Sequence, residues 1–452
     1  MTTLALVKRN QYFDSVTLLQ ISAKLTALPG VETASAVMAT DLNRQLLAGS
    51  GLATGESEAA GVNDLVVALR SIDDASGQAA MQCAEQLLRA RQDAAPMLDQ
   101  PSRSLRGAAR RLLTADALVA VISVPGRYAA AEAWQALSAG MHVFLFSDNV
   151  PAQDEVELKR YAVEHELLMM GPDCGTAILN GIGFGFANSV RRGNVGLIGA
   201  SGTGLQEISV LIHQAGGGIS HVIGCGSHDL SDAVGGLTTL HALRLLAEDA
   251  ATETIVLVSK PPADAVARRV LDAARHTGKD IVACFLGWTG RAEGIALAGT
   301  LEDAARLATN QPPIGLDPGR ERAVVLGAYC GGTLASEARL LLPGSEIVDF
   351  GDDQFTNGRA HPMIDPTLRN RAILESPAEL VLLDFVLGTG AHEDPAGAFV
   401  PIIEQAGGKR FFGHVAGTDL DRQGLDRQKA LLANAGVTVF DSNAAMARAA
   451  QM

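Results

Sequence analysis

The fold class this sequence predicts is α/β throughout, and three observations predict it. Short apolar runs recur along the chain, alternate with segments of helical period, and end in small or polar residues. Glycine is abundant, 48 of 452 residues, beside 47% hydrophobic content, which suits tightly turned layers. The length corresponds to about three domains of ordinary size. No run of about 20 apolar residues lacks charges, and the N-terminus "MTTLALVKRNQYFDSV" has no leader pattern, so neither a membrane span nor a secretory leader is predicted. A net charge of −14 argues against nucleic acid and anionic membranes as partners. The five cysteines (Cys83, Cys174, Cys225, Cys284, Cys330) are scattered and form no C-x-x-C, which suits a reducing cytoplasm and predicts no metal site.

Residues 1–100 read as a small N-terminal α/β unit. Its strands are Leu4–Val7, Val31–Met38 and Leu65–Leu69, with helices over Val16–Leu28, capped by Asp14 and stopped at Pro29-Gly30, and over Ala79–Arg91. The polar stretch "RQDAAPMLDQPSRS" is a linker. Residues 101–190 carry "LVAVISV", "AAAEAWQALSAG" and "HVFLFS", a strand-helix-strand series that predicts a parallel, doubly wound layout. Residues 191–310 form a second series, with strands near 195–198, 220–223, 254–259 and 280–285. After "NQPPIGLDPGRE", residues 320–452 form a third, on "AVVLGA", "EIVDF", "ELVLLDF", "FFGHV" and "VTVF".

Ligands of open parallel sheets bind beyond the carboxyl ends of the strands. The strands here run into Gly-Pro-Asp-Cys-Gly-Thr (171–176), Ser201-Gly202-Thr203-Gly204, Gly224-Cys225-Gly226-Ser227, Cys330-Gly331-Gly332-Thr333, Gly388 to His392 and Gly417-Thr418-Asp419. Small residues and hydroxyls there let an anion approach backbone N–H groups at helix starts. The competing explanation is that tight turns need glycine and a hydroxyl cap. No loop places a Lys directly before Ser or Thr in the phosphate-loop pattern. Ser201, Gly202, Thr203 and Gly204, with Cys174, Gly331, Gly332 and Thr333, are therefore the candidate phosphate and substrate contacts.

Catalytic candidates are fewer. Cys330 at a helix start would have a lowered thiol pKa and act as nucleophile, or it simply packs. His392 follows "LGTGA" at the end of a strand carrying Asp384, with Glu393 and Asp394 next. His361 lies in "GRAHPMIDP", between Asp352-Asp353 and Asp365. Both imidazoles are candidate general acid–base groups on one rim. The structural alternative has Asp394 capping a helix at Pro395 and the histidines bracing turns. A divalent metal on Asp352, Asp384 and His392 has no ligand spacing to support it.

Residues 117–290 resemble the α subunit of succinyl-CoA synthetase. Its G-P-N-C stands here as Gly171-Pro172-Asp173-Cys174, and its S-R-S-G-T as Gly199-Ala200-Ser201-Gly202-Thr203. The β subunit's F-G-G resembles Tyr329-Cys330-Gly331-Gly332. The chain is closer still to the FdrA proteins, acyl-CoA-synthetase-like, through "NQYFDSVTLLQIS", "VISVPGRYAAAEA", "FSDNVP", "LLMMGPDCGTAI", "RRGNVGLIGASGTG", "FGDDQFTNGRAHPMIDP", "DFVLGTGAHEDP" and "GTDLD".

The resemblance implies a Rossmann-like CoA-binding-type domain at 101–190 without its Gly loop, then two flavodoxin-like succinyl-CoA-synthetase-type domains. It also implies that the helix starts near Ser201 and Gly332 point at one phosphoryl group. The family's phosphohistidine has no counterpart, since "GWTGRAEGIALAGT" (287–300) holds no histidine, and Ser259-Lys260 replaces the glutamate that orients it. Lys260 then either compensates a transient phosphoryl charge or snorkels to solvent.

The implied function is an acyl- or carbamoyl-phosphate-handling subunit, of the oxamate carbamoyltransferase type, converting oxalurate and phosphate to oxamate and carbamoyl phosphate. The alternatives are an ADP-forming acyl-CoA synthetase acting with a partner chain, and a non-catalytic binding subunit. Phosphate or carbamoyl phosphate is the expected small anionic substrate, CoA remains open, and a homo-oligomer or a complex with another subunit is expected.

Overall fold

In the computed structural model the chain divides into two units, Met1–Ser102 with Asp353–Pro366, and Arg103–Asp352 with Thr367–Met452. The structure describes residues 2–13, 15–94, 102, 104–112, 118–315, 325–356 and 360–451. The cap expected at residue 14 lies outside them.

The first unit is built on an antiparallel sheet in which Leu65–Ser71 lies between Thr2–Lys8 and Val31–Met38. Its central strand is buried on both faces, so it reads as a continuous apolar run rather than an alternating one. Leu18, Ile21 and Leu25 of helix Ser15–Thr26, and Ala84 and Leu88 of helix Asp74–Ala94, cover Leu65 and Val67. Leu47, Leu52 and Ala60 cover Val66 and Ala68. Leu47 belongs to a helix the periodicity did not predict, Asp41–Gly49, which Thr40 caps through the amide of Asn43.

The second unit contains three sheets among the described residues. A parallel one joins Val119–Ile122, His142–Leu145 and Met169–Met170, backed by helices Gly126–Ser138 and Ala152–Glu164. The middle sheet runs Ala296–Leu297, Asp280–Phe285, Thr254–Ser259, Arg192–Ala200, Ile219–Gly224, and then a hairpin, Thr176–Leu179 with Ile182–Gly185. That hairpin is antiparallel, where the sequence predicts only parallel strands. The last sheet runs Glu346–Asp349, Val325–Tyr329, Leu380–Val386, Arg410–Ala416, Val437–Phe440, all parallel. Apart from the hairpin, both larger sheets follow the flavodoxin-like order 2-1-3-4-5, whose ligand crevice lies where the first strand ends. Those ends are Ala200 and Tyr329.

A buried ionic cluster holds helix Ala152–Glu164 to the middle sheet's layer. Lys159 Nζ lies 2.7 Å from Asp229 Oδ1, 2.7 Å from Glu155 Oε1 and 2.9 Å from the Cys225 carbonyl. Burial alone would pull this ammonium down, but Asp229 and Glu155 hold it above the usual lysine value. Asp229 also accepts the amides of Thr238 and Thr239, at the start of helix Leu237–Glu248, whose own N-cap is a glycine. Asp229→Ala leaves Lys159 buried beside one carboxylate only, and should cost about 3–5 kcal/mol of stability by denaturant unfolding. A loss below about 1 kcal/mol would show that water or Glu155 replaces it.

Candidate functional site

Strand Arg192–Ala200 ends at Ser201, which caps helix Gly202–Gln214 by accepting the Gly204 amide at 3.1 Å. A Cβ on Gly204 would lie 2.3 Å from that Oγ, so the cap closes only over glycine. Strand Val325–Tyr329 likewise runs through Cys330 and Gly331 into helix Gly332–Leu341. The two starts meet. Ser201 Oγ lies 2.7 Å from Thr333 Oγ1, and the Thr333 amide donates to Thr203 Oγ1 at 3.3 Å. The Ser201–Thr333 bond consumes one of that pair's two hydroxyl protons, and Thr203 accepts rather than donates in its bond, so hydroxyl donors remain for a ligand. Ser201, Thr203 and Thr333 are only 9, 8 and 3% exposed, Gly202 and Gly332 beside them are half-buried, and Lys260 is exposed.

Charge at the second start is dense. Asp384, wholly buried, accepts the Cys330 and Gly331 amides at 2.7 Å each. Arg369 Nη1 sits 3.6 Å behind its Oδ1 and donates to its carbonyl at 2.9 Å. A Cβ on Gly332 would lie 2.4 Å from Asp349 Oδ2 and 3.2 Å from Lys260 Nζ, so both side chains close on that glycine. Burial pushes the Asp349 carboxyl up to about 6, against the pull of Lys260. Sequence reasoning missed Asp349 and Arg369. Asp349 could have been found as the last residue of the strand beside the second crevice.

Other candidates fall differently. Cys330 is buried, and burial with the Asp384 carboxylate pushes its thiol well above the ordinary value, opposite to the lowered pKa a nucleophile requires. Cys174 packs under Gly224, 3.4 Å from its carbonyl, and burial pushes its thiol up to about 12. His392 Nδ1 accepts the amide of Asp394 at 3.0 Å, and Asp394 caps helix Pro395–Gln405 through Gly397. His361 Nδ1 accepts the Met363 amide at 3.2 Å in the segment grouped with the first unit, and burial lowers its imidazole to about 4. Each of these histidines thus accepts an amide within its own turn. Asp384 spends both oxygens on amides, and no group of three His, Cys, Asp or Glu among the described residues could hold a metal.

Several glycine-rich loops meet the protein itself instead of open space. A Cβ on Gly226, which has φ +84°, would lie 2.1 Å from the Pro172 carbonyl, and one on Gly388 2.5 Å from that of Ala187. In the stretch that lacks histidine, the Trp288 ring covers Gly290 and its indole N–H donates to Asp264 at 2.7 Å. Iodoacetamide at neutral pH should label Cys83, the only cysteine not buried, and spare Cys330 and Cys174 until the chain unfolds. Rapid native labelling of Cys330 would restore it as a nucleophile.

Residues 190–287 match the family described as CoA binding domain, and residues 328–452 the family described as CoA-ligase. Residues 1–102 match the family described as AllF, heavy metal-associated domain. That stretch holds one cysteine and no histidine. Succinate–CoA ligase [ADP-forming] subunit alpha 1 of Archaeoglobus fulgidus is 30% identical over 37% of this chain and 58% of its own length. Among solved structures, the dinucleotide forming acetyl-coenzyme A synthetase 1 of Ca. Korarchaeum cryptofilum, in complex with phosphate and ADP, superposes with TM-score 0.39 at 16% identity, over 79% of this chain and 85% of that one. No helix among the described residues is long and apolar enough to cross a membrane. The uncharacterized protein YahF of Escherichia coli (strain K12) is 40% identical over 98% of this chain and 97% of its own. The chain therefore belongs to the same family as YahF, with CoA-binding-type and CoA-ligase-type domains like those of the succinate–CoA ligases.

Proposed function

We propose that this chain is an acyl-CoA-ligase-like subunit that holds an acyl phosphate where the helix starts at Ser201 and Thr333 meet. The observation that carries the reading is the 2.7 Å approach of those two hydroxyls, from residues 132 apart in sequence. Backbone N–H groups of both first turns and the remaining O–H donors would stabilise charge on the phosphoryl oxygens. Lys260 would add the cation. In the ligase direction the CoA thiol sulfur attacks the acyl carbon, the C–S bond forms, the C–O bond to phosphate breaks, and the thiol proton leaves with phosphate or solvent. The matches to CoA-binding and CoA-ligase families support CoA as the acceptor. ATP-dependent formation of the acyl phosphate would fall to a partner chain, and the complex would work in the cytoplasm, a reading supported by five scattered cysteines without a C-x-x-C.

Membership of the FdrA proteins is part of the same proposal. A second reading, carbamoyl phosphate as the held anhydride, is favoured by the absence of histidine from 287–300. Carbamoyl transfer to and from phosphate needs neither CoA nor a phosphohistidine. Phosphate release from acetyl phosphate that requires CoA supports the first reading. Carbamoyl phosphate formed from oxalurate and phosphate without CoA supports the second. In either case Ser201→Ala with Thr203→Val should lower turnover by about 10²–10³ for each lost donor, about 2.7–4 kcal/mol, while the far-UV spectrum is unchanged. Undiminished turnover would remove the helix starts from the chemistry.

A further inference from the structure

The two helix starts are unequal in charge. Neither helix Gly202–Gln214 nor helix Gly332–Leu341 holds an acidic residue in its own first turn. Helix Gly332–Leu341 begins between two carboxylates, Asp384 on the amides of Cys330 and Gly331, and Asp349 against Gly332. Asp384 is matched by Arg369. Asp349 is matched by Lys260, the group a ligand charge would also use. Its Oδ1 accepts the Gly351 amide at 3.0 Å, while its Oδ2 is the oxygen that would meet a Cβ on Gly332. An anion at Gly332 therefore meets a carboxylate oxygen at close range, and two negative groups at such a distance do not both stay ionised.

Resting on the anion-site reading above, we propose that Asp349 takes up a proton whenever an oxyanion binds at Gly332, and so faces the ligand as an O–H donor instead of a competing charge. Protonated, Asp349 gives one more hydrogen bond to the anion and leaves Lys260 unopposed. The cluster already favours that change, because burial holds the Asp349 carboxyl up at about 6. The charged groups facing it are Lys260 after strand Thr254–Ser259, Asp384 in strand Leu380–Val386 and Arg339 in helix Gly332–Leu341. Asp384 acts with burial, and Lys260 and Arg339 act against it. Below about pH 6 the proton is already present, so anion affinity is flat with pH. Above it the proton must come from solvent, and affinity falls about tenfold per pH unit until the ligand-bound carboxyl itself ionises.

Sulfate is the probe, a phosphate-shaped dianion that does not titrate between roughly pH 5 and 8. Calorimetric titration of the full chain in buffers of different ionisation heat counts the protons. At pH 7 the chain should take up about 0.9 proton per sulfate, as a group near 6 requires. Asp349→Asn, whose amide oxygen can still accept from Gly351, should bind sulfate with no uptake and no pH slope. Lys260→Met should weaken binding and move the onset of the slope to higher pH, since losing the cation raises Asp349 further. Sulfate binding without proton uptake, or a slope that survives in Asp349→Asn, overturns the role of Asp349 and leaves the anion site standing. No sulfate binding at any pH from about 5 to 8 overturns the anion site, and this inference with it.

Discussion

The meeting of Ser201 and Thr333 depends on a buried polar tie between the two halves that carry them. Glu207, on the helix that Ser201 caps, lies 2.7 Å from His414 Nε2 and accepts the Asn443 amide at 3.2 Å. The Asn443 side chain donates to Glu337 at 2.7 Å and to the Leu334 carbonyl at 3.0 Å, both on the helix that Gly332 begins. Asn443 thus pins both helices behind their starts. His414 has an acceptor at each ring nitrogen, the Phe440 carbonyl and the Glu207 carboxylate. Burial alone would lower this imidazole, yet Glu207 holds it above the ordinary value. Burial pushes Glu337 up to about 7, although it accepts from both Asn443 and the Leu301 amide. Removing one member of such a network leaves desolvated groups behind, so these residues constrain geometry more than they add stability.

Why two helix starts are available to meet follows from the repeated sheet order. In each flavodoxin-like half the first strand lies inside the sheet and its successors flank it, so its carboxyl end opens onto a crevice. Placing one crevice against the other brings the two helix starts together at Ser201 and Thr333. The halves are not equivalent, however. Ser201 and Thr203 stand at one start, and at the other the Asp384 carboxylate is already bonded to the entry amides. In the proposed reading a ligand charge would be matched chiefly from the Ser201 side and by Lys260.

Glycine explains where the candidate site is and where it is not. At Gly332 the missing side chain admits the Asp349 carboxylate and Lys260, and at Gly226 and Gly388 it admits the carbonyl of a neighbouring segment. All of these look alike in sequence, a glycine after an apolar strand. They differ in what the rest of the chain brings against them. The same holds for Cys330, whose helix-start position suggests a lowered thiol pKa until burial and Asp384 are counted.

What the sequence alone determined is local. Val31–Met38, Thr254–Ser259, Asp280–Phe285 and Val437–Phe440 occupy the residues their apolar runs predict, and Ser201 caps as a serine before a helix should. Period, β-branching and capping act within a few residues, so they are legible in a window. The tertiary structure alone decided the antiparallel hairpin at 176–185, the grouping of 353–366 with the first unit, and the closure of Asp349, Lys260 and Asp384 around Gly331 and Gly332. Asp384 reaches the Cys330 amide across 54 residues and Ser201 reaches Thr333 across 132. Contacts of that range, and the desolvation that moves a carboxyl or a thiol, depend on which surfaces are buried together, and no local pattern encodes that.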